Sequence, residues 1–454
     1  MSNNLFSSFE INSVLNSNLK KKINFNNIAI DSRNVKNNSI FFALKGLKND
    51  GHNYARSVLN KKNSIAVVHQ KKFKDNQFIR VKNTQEALQD LGIYARQRTN
   101  AKIIGITGSC GKTSLKNLIA HTLKKYGSTY SSQKSFNNHF GVPFSLTNLK
   151  QNLNFGIFEI GMSKAGEILS LVSLVRPHIG IITNIGPAHL QNFQNIFGIC
   201  KAKSEIIEGV VQNGVMILNR DDKYFNFLKK KALINKKKVI TFGFSKSDIH
   251  LKKINTIKKN IIISVKNKKI RIKCKNFSKS FIYNILATLA VHHALNHKLK
   301  KLSNVFFSFS LPEGRGNEIR KKFFGKRIKI INDSYNSNPL SLKEAIVNFS
   351  NMKRDNINQK KIILIGDMLE LGKRTKYYHQ HIATLINKTD IDFVICVGKF
   401  SKFTFVSLTK KKRAFYVQNI NKIKNKISNY LKNEDVLLIK SSNRIGLFNF
   451  LKQI

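Results

Sequence analysis

The residues with the most specific chemistry lie at positions 105–113, which read Gly-Ile-Thr-Gly-Ser-Cys-Gly-Lys-Thr. Glycines at 108 and 111 allow a tight turn in which backbone N–H groups converge on a phosphate. Lys112 adds a full positive charge, and Thr113 adds a hydroxyl suited to Mg²⁺. The strict pattern G-x-x-x-x-G-K-[ST] is not met, because Ile106 stands where its first glycine belongs. We interpret this segment, the phosphate loop, as a nucleoside triphosphate site; the alternative is a glycine-rich turn that happens to precede a lysine.

Cys110 lies inside the phosphate loop, beside Gly111 and Lys112. A helix N-terminus and a nearby cation both favour thiolate over thiol. The alternative is that Cys110 fills a position for a small residue, with its sulfur turned away from solvent. In either case we expect the thiol to have no catalytic role.

The loop must be held between a strand and a helix. Lys102-Ile103-Ile104 predicts the strand, and residues 114–119 open the helix, whose dipole would favour a bound phosphate. The helix carries an apolar stripe at the spacing of one buried face, formed by Leu115, Leu118, Ile119, Thr122 and Leu123.

Several polar residues follow predicted strands, where ligands of open α/β sheets gather. Glu159 closes one strand and Thr183-Asn184 the next, while Asp333 and Asp367 follow strands near the C-terminus. Each has an ordinary alternative: Glu159 facing water, for example, or Asp333 as a turn former. Together, Thr113 and Glu159 offer hard oxygen ligands for Mg²⁺ beside the charge of Lys112.

Length and composition limit the number of domains and the class of protein. The chain has 454 residues, enough for about three domains, and 41% hydrophobic content, which excludes a disordered protein. No apolar run approaches the roughly 18 residues needed to span a bilayer, and the polar N-terminus lacks a signal-peptide core. The cysteines lie far apart, at Cys110, Cys200, Cys274 and Cys396, which argues against disulfides or a zinc site and indicates a cytoplasmic protein.

The net charge of +56, from 80 basic and 24 acidic residues, would suit nucleic acid. The lysines are spread along the whole chain, however, together with an excess of Asn, Ile and Phe. We interpret the charge as compositional drift on solvated surfaces and expect no specific nucleic-acid partner.

Apolar runs that alternate with helical stretches predict an α/β fold with a mainly parallel sheet. We place three domains at residues 1–98, 99–312 and 313–454. The strand candidates are residues 28–30, 65–68, 155–160, 179–183, 215–218, 328–331, 362–365, 393–397 and 436–439.

The phosphate loop resembles the ATP loop of the Mur ligases, which build the peptide of bacterial cell-wall precursors. Residues 182–189, continuing to Ala202-Lys-Ser-Glu205, resemble the family's central signature, and 137–143 and 158–162 match two more motifs. Residues 333–339 and 366–372, with 31–33, 41–43 and 50–52, resemble the family member that joins D-alanyl-D-alanine to UDP-N-acetylmuramoyl-tripeptide. The motifs span nearly the whole chain in the expected order.

The resemblance implies a monomeric ligase that depends on ATP and Mg²⁺. It also implies a central domain with a P-loop-type sheet and a small α/β N-terminal domain that binds the UDP-sugar. The C-terminal domain would be Rossmann-like, close over ATP and bind the dipeptide. The implied catalytic residues are Lys112, His189 and Lys203. The implied metal ligands are Thr113, Glu159, His189 and Lys203 as a carbamate. The implied ATP contacts are Gly108, Ser109, Cys110, Gly111, Lys112, Thr113, Asn138, Asn284, Arg315 and Asp333. Ser32 and Arg33 are the implied contacts to the uridine nucleotide.

Two motifs depart from the family pattern. Ser280 and Phe281 stand where the family often has His-Asn before the position of Asn284, and Lys440-Ser-Ser442 replaces a Lys-Gly-Ser pattern. The alternatives are another Mur ligase, an amide ligase similar to folylpolyglutamate synthase, a nucleic-acid-dependent ATPase, and a degenerate binding protein. The last would have lost reactive groups, yet all the central ones are present.

Overall fold

The computed structural model describes residues 4–46 and 49–453. Helices flank sheets of two, four, nine and six strands, arranged in three domains. The predicted α/β class is therefore confirmed.

The N-terminal domain contains the two small sheets. Strands β1 (Phe6–Ser7) and β2 (Asn24–Phe25) are antiparallel, and a parallel sheet joins β3 (Asn27–Ala29), β4 (Ser39–Phe42), β5 (Ile65–Val68) and β6 (Phe78–Arg80). The helices are α1 (Ser8–Leu15) and α2 (Thr84–Arg98). Asn83 begins α2 because its side chain accepts hydrogen bonds from the N–H groups of Gln85 and Glu86.

The central domain is built on the nine-stranded sheet, whose spatial order is β15-β14-β13-β12-β11-β10-β7-β9-β8. Its strands are β7 (Lys102–Thr107), β8 (Thr129–Ser131), β9 (Phe155–Glu159), β10 (Ile179–Ile182), β11 (Val215–Asn219), β12 (Lys238–Gly243), β13 (Ile249–Asn255), β14 (Asn260–Val265) and β15 (Lys268–Lys273). Its helices are α3 (Lys112–Leu123), α4 (Gly141–Thr147), α5 (Glu167–Val175), α6 (Ile196–Ser204), α7 (Ile206–Gly209), α8 (Phe225–Ile234) and α9 (Lys279–Ala294).

The predicted strand and helix around the phosphate loop are β7 and α3. All five residues of the apolar stripe on α3 are buried, as the helical spacing predicts. The antiparallel extension β13–β14–β15 was not foreseen, because its polar turns at 256–259 and 266–267 interrupt segments rich in lysine. The flanking strands β13 and β15 can face water on one side, so their sequences lack a continuous apolar run, whereas the apolar run of β14 (Ile261, Ile262 and Ile263) is short.

The C-terminal domain contains the six-stranded sheet, in the order β16-β17-β21-β18-β19-β20, with only the β16–β17 pair antiparallel. Its strands are β16 (Asn317–Phe323), β17 (Lys326–Asp333), β18 (Lys361–Gly366), β19 (Phe393–Val397), β20 (Arg413–Val417) and β21 (Val436–Lys440). Its helices are α10 (Pro339–Ser350), α11 (Thr375–Asn387), α12 (Ser401–Ser407), α13 (Lys424–Ile427) and α14 (Leu447–Lys452).

The central and C-terminal domains share a core. One cluster of buried apolar side chains extends from Leu190 and Ile199 of the central domain to Leu342 and Leu371 of the C-terminal domain. Burying apolar surface stabilises this contact, which brings the carboxyl ends of both sheets towards the phosphate loop.

Candidate active site

The phosphate loop connects β7 to α3 and turns at its two glycines. Gly108 has φ +147° and Gly111 has φ +81°, and Gly111 is the cap residue of α3. A Cβ at position 108 would lie 1.9 Å from the Thr183 hydroxyl, so only glycine fits there. The N–H groups of Ser109 and Cys110 are bonded to Asn184, at 3.0 and 2.9 Å. The amides left for a phosphate therefore begin at Gly111.

The Lys112 ammonium folds back across the loop and donates a 2.9 Å hydrogen bond to the carbonyl of Gly108. Burial lowers the pKa of Lys112, while the nearby Glu159 carboxylate opposes that change. The lysine ammonium thus lies beside the phosphate loop, where it can bind a phosphate.

Thr113 and Glu159 meet at the start of α3. The Thr113 hydroxyl donates to Glu159 Oε2 at 2.7 Å, and the amide of Asn137 donates to Oε1 at 2.7 Å. Glu159 is only 2% exposed, so it is not a strand residue facing water. These oxygen atoms form a compact hard-donor group.

A buried lysine positions the segment that supplies Asn137. Lys116, on α3, is 1% exposed and donates to the carbonyls of Ser132 and Lys134, at 2.5 and 2.6 Å. These bonds fasten residues 132–134 to the helix that begins at the phosphate loop.

Arg315 reaches the loop from the C-terminal domain. Its Nη2 donates to the hydroxyls of Thr113 and Ser135, at 3.1 and 3.3 Å, and its guanidinium lies 4.2 Å from the ring centroid of Tyr335. Arg315 therefore adds a second cation beside Lys112.

Cys110 also contacts the C-terminal domain. Its thiol donates to Asn338 Oδ1 at 3.1 Å, and the Asn338 amide donates to the carbonyl of Ser109 at 3.2 Å. Burial raises the pKa of the Cys110 thiol and outweighs the opposing charge of Lys112. The helix N-terminus and the nearby cation, which by themselves favour a thiolate, are therefore outweighed by burial of the sulfur.

His189 lies at the junction of the same two domains. Its Nδ1 is 2.6 Å from Glu370 Oε2, although the pair is not aligned as an ideal hydrogen bond. The pKa of Glu370 is lowered chiefly by this contact. Both residues have left-handed backbone conformations, with φ values of +57° and +65°.

Lys203, on α6, is 1% exposed, and its side-chain amine has no hydrogen-bond or ion-pair partner among the described residues. Burial, with the nearby charge of Lys112, lowers its pKa far below the usual lysine value. Burial of this kind favours the neutral, nucleophilic form of the amine.

One pocket of about 420 Å³ brings most of the predicted residues together. They are Ser109, Cys110, Gly111, Lys112, Thr113, Asn138, Glu159, His189, Lys203 and Arg315. Tyr335 and Asn336 complete one wall from the C-terminal domain. Among the described residues, no group of three His, Cys, Asp or Glu side chains is placed to hold a metal.

Five predicted residues do not line this pocket. Gly108 belongs to the phosphate loop but is not part of the pocket lining. Asn284 on α9 is near Gly111, since a Cβ at position 111 would lie 3.6 Å from Oδ1 of Asn284. Asp333 ends β17 and accepts a 2.7 Å bond from Lys440, and its burial raises the pKa of its carboxyl. Ser32 and Arg33 lie in the N-terminal domain, where Arg33 is paired with Asp31 at 2.6 Å.

Sequence reasoning gave no role to Asn137, Ser135, Asn338 or Glu370, although they contact predicted site residues. Asn137, Asn338 and Glu370 lie within segments that carry the family resemblance. That resemblance was the signal by which the sequence could have identified them. Across residues 4–46 and 49–453, no helix is long and apolar enough to cross a bilayer.

Three family descriptions match successive parts of the chain. "Mur ligase family, catalytic domain" matches residues 24–97, "Mur ligase middle domain" matches 106–292, and "Mur ligase, glutamate ligase domain" matches 314–443.

Curated relatives carry the name UDP-N-acetylmuramoyl-tripeptide–D-alanyl-D-alanine ligase. The protein of Buchnera aphidicola subsp. Acyrthosiphon pisum is 35% identical over 419 residues, which cover 89% of this chain and 89% of the relative. The protein of Rickettsia prowazekii is 29% identical over 439 residues, covering 94% of this chain and 95% of the relative.

Among solved structures, MurF from Acinetobacter baumannii superposes with a TM-score of 0.86 at 25% identity, covering 99% of this chain and 98% of that one. MurF from Thermotoga maritima in complex with ADP gives 0.79 at 23% identity, covering 94% and 96%. The predicted membership is confirmed: with family descriptions along most of its length and a relative 35% identical over 89% of it, the chain belongs to the Mur ligase family.

Proposed function

We propose that this ligase joins D-alanyl-D-alanine to UDP-N-acetylmuramoyl-tripeptide, with ATP driving formation of the C–N bond. The observation that carries the proposal is the pocket where Lys112, Thr113 and Glu159 of the central domain face Arg315 of the C-terminal domain. The relatives named for this reaction match almost the full length of the chain.

A carboxylate is a poor acyl donor, because its oxide is a poor leaving group. The terminal carboxylate of the tripeptide would attack the γ-phosphorus of ATP, giving an acyl phosphate and ADP. The dipeptide amine then attacks the acyl carbon, and the tetrahedral intermediate expels phosphate while the nitrogen loses a proton. The C–N bond forms in the attack, and the C–O bond of the acyl phosphate breaks when the tetrahedral intermediate collapses.

The protein's part in these steps is to position the reactants and neutralise their charge. The Lys112 ammonium would leave the Gly108 carbonyl for the β- and γ-phosphates, and Arg315 would approach the γ-phosphate from the other side. Free amides from Gly111 onwards, at the start of α3, add donors at the positive end of the helix. Asn138 lines the same pocket and would lie near the reacting phosphate.

The residues present fit a Mg²⁺ ion. Thr113 and Glu159 offer hard oxygens 2.7 Å apart, and phosphate oxygens would supply the rest of the coordination. His189 and a carbamate on Lys203 would hold a second ion, and burial of Lys203 favours the neutral amine from which a carbamate forms. The ions would neutralise charge on the transferred phosphoryl group.

The proposed division of labour follows the domains at 1–98, 99–312 and 313–454. Ser32 and Arg33 would contact the uridine nucleotide, while Asn284 and Asp333 would hold the adenine and ribose beside the phosphate loop. The C-terminal domain would bind the dipeptide and exclude water from the acyl phosphate. We propose that the chain acts as a monomer.

The decisive assay measures phosphate release from ATP with UDP-N-acetylmuramoyl-tripeptide, with and without D-alanyl-D-alanine, and identifies the product by mass spectrometry. We expect release that depends on both substrates and a product heavier by one dipeptide less water. The Lys112→Ala variant is the background control. Product formed with a single amino acid, or with glutamate and a folate, would transfer the assignment to another ligase of the family.

A further inference from the structure

We propose that Glu370 is a positioning residue, through which docking of the C-terminal domain orients His189 towards the pocket. The inference rests on the proposed function, because it assumes that His189 acts at the phosphate and metal centre. Glu370 belongs to the C-terminal domain and is absent from the pocket lining, whereas His189 belongs to the central domain and lines it.

The first argument is the environment of the imidazole. Nδ1 of His189 is shielded from solvent and has no aligned hydrogen-bond partner among the described residues, but the Glu370 carboxylate lies 2.6 Å from it. A carboxylate in contact with one ring nitrogen keeps the proton there, so the other nitrogen retains its lone pair. Nε2 is then the atom available to the pocket.

The second argument is that the contact belongs to a wider junction between the domains. The N–H of Gln191 donates to the carbonyl of Glu370 at 3.1 Å, and a Cβ on Gly372 would lie 3.0 Å from the Cα of Gln191. Leu190 and Leu371 are both buried in the core that the two domains share. The backbones on either side of the His189–Glu370 pair are therefore held together.

The consequence concerns the timing of catalysis. If the C-terminal domain moves away, Glu370 leaves with it, and the His189 ring loses the group that fixes its orientation and its protonated nitrogen. The pocket would then lack an oriented His189 until the domain that carries Arg315 returns. Docking of the C-terminal domain thus brings the Arg315 guanidinium to the pocket and, through Glu370, orients the His189 imidazole.

The test compares Glu370→Ala, Glu370→Met, Glu370→Asp and His189→Ala in the full-length chain. Glu434→Gln is the matched control, because Glu434 is an exposed acid of the same domain outside the pocket. The first measurement is Mn²⁺ affinity, by electron paramagnetic resonance, in the presence of a non-hydrolysable ATP analogue. The second is the His189 tautomer, from ¹⁵N-histidine spectra assigned by comparison with His189→Ala.

We expect Glu370→Ala and Glu370→Met to weaken Mn²⁺ binding by about 10–100-fold, as loss of a group that orients a metal ligand does. The His189 signals should change from the tautomer protonated on Nδ1 to a mixture. In turnover, kcat should fall while KM for the UDP-linked substrate is unchanged, with partial rescue by Asp. Methionine matches glutamate in length but has no oxygen acceptor. If the alanine variant does not fold, the methionine variant therefore still tests whether the Glu370 carboxylate orients His189.

The outcomes separate two failures. Wild-type Mn²⁺ affinity and tautomer in the Glu370 variants, with weakened binding in His189→Ala, would overturn the positioning role alone. Wild-type Mn²⁺ affinity in His189→Ala would overturn the proposed role of His189, and the inference with it.

Discussion

Asn338 joins the C-terminal domain to the phosphate loop by accepting a hydrogen bond from the Cys110 thiol at 3.1 Å. Its amide nitrogen also donates to the carbonyl of Ser109 at 3.2 Å. Asn338 is at the same time the cap residue of α10, where its side chain accepts from the N–H of Ser341. One side chain therefore links the start of α10 to the loop that is proposed to bind ATP.

Because a serine hydroxyl can donate the same bond, Cys110→Ser should keep activity close to that of the wild type. The raised pKa of the Cys110 thiol leaves less thiolate at neutral pH than in a free cysteine, so alkylation should be slow and should accelerate as the pH rises. Bound Mg-ATP should protect the thiol. Mass spectrometry of the labelled peptide measures both effects, and equal labelling with and without nucleotide would show that Cys110 does not face it.

Lys112→Ala should lower turnover by about 10²–10³-fold, the usual cost of removing one group that stabilises transition-state charge. The fold should survive, because the side chain of Lys112 makes one hydrogen bond among the described residues, to the carbonyl of Gly108. Steady-state kinetics and circular dichroism check the two parts. Near-normal turnover in this variant would remove the phosphate loop from the proposed mechanism.

Lys203→Ala should lose most activity, and a small carboxylate such as acetate should restore part of it by replacing the carbamate. The neutral amine that burial favours can add CO₂, which converts a would-be cation into an anion. Activity measured across acetate concentrations tests the rescue, with Lys201→Ala, an exposed lysine of the same helix, as the control. An ordinary ammonium at Lys203 in a crystal grown with bicarbonate, far from any metal, would contradict the prediction.

Gly108→Ala should destabilise the protein by about 1–3 kcal/mol, as overpacking does, and abolish nucleotide binding. The new Cβ would lie 1.9 Å from the Thr183 hydroxyl, so the loop must move. Gly325→Ala is the control: its φ is also positive, at +76°, but nothing lies within 4 Å of the added atom. Urea unfolding and ATP-analogue titration of both variants separate the clash with Thr183 from the cost of a positive φ without glycine. Equal losses of stability and of nucleotide affinity in the two variants would rule out the clash as the cause.

Binding to double-stranded DNA should be weak, independent of sequence and steeply dependent on salt, because the charge of +56 is spread over the whole chain. ATP hydrolysis should not increase when DNA is added. Fluorescence anisotropy at several salt concentrations and a phosphate-release assay measure both. Sequence-selective binding at physiological salt would restore the nucleic-acid alternative.

The sequence by itself determined the α/β class, the strand and helix around the phosphate loop, and the family. These follow from local patterns: the apolar spacing on α3 appears as a buried face, and β5 and β19 lie at the predicted positions. It did not reveal β13, β15 and β16, because their many polar residues carry little signal for a buried sheet, nor β14, whose apolar run is short.

The tertiary structure alone decided which side chains face one another across the domains. Glu370 is 181 residues from His189 in the chain and Asn338 is 228 from Cys110, yet each pair is in contact. It also decided the direction in which the pKa values of Cys110 and Lys203 shift: sequence shows the neighbouring charges, but desolvation depends on everything packed around the group. Burial of that kind exists only once distant segments have come together, so no local pattern encodes it.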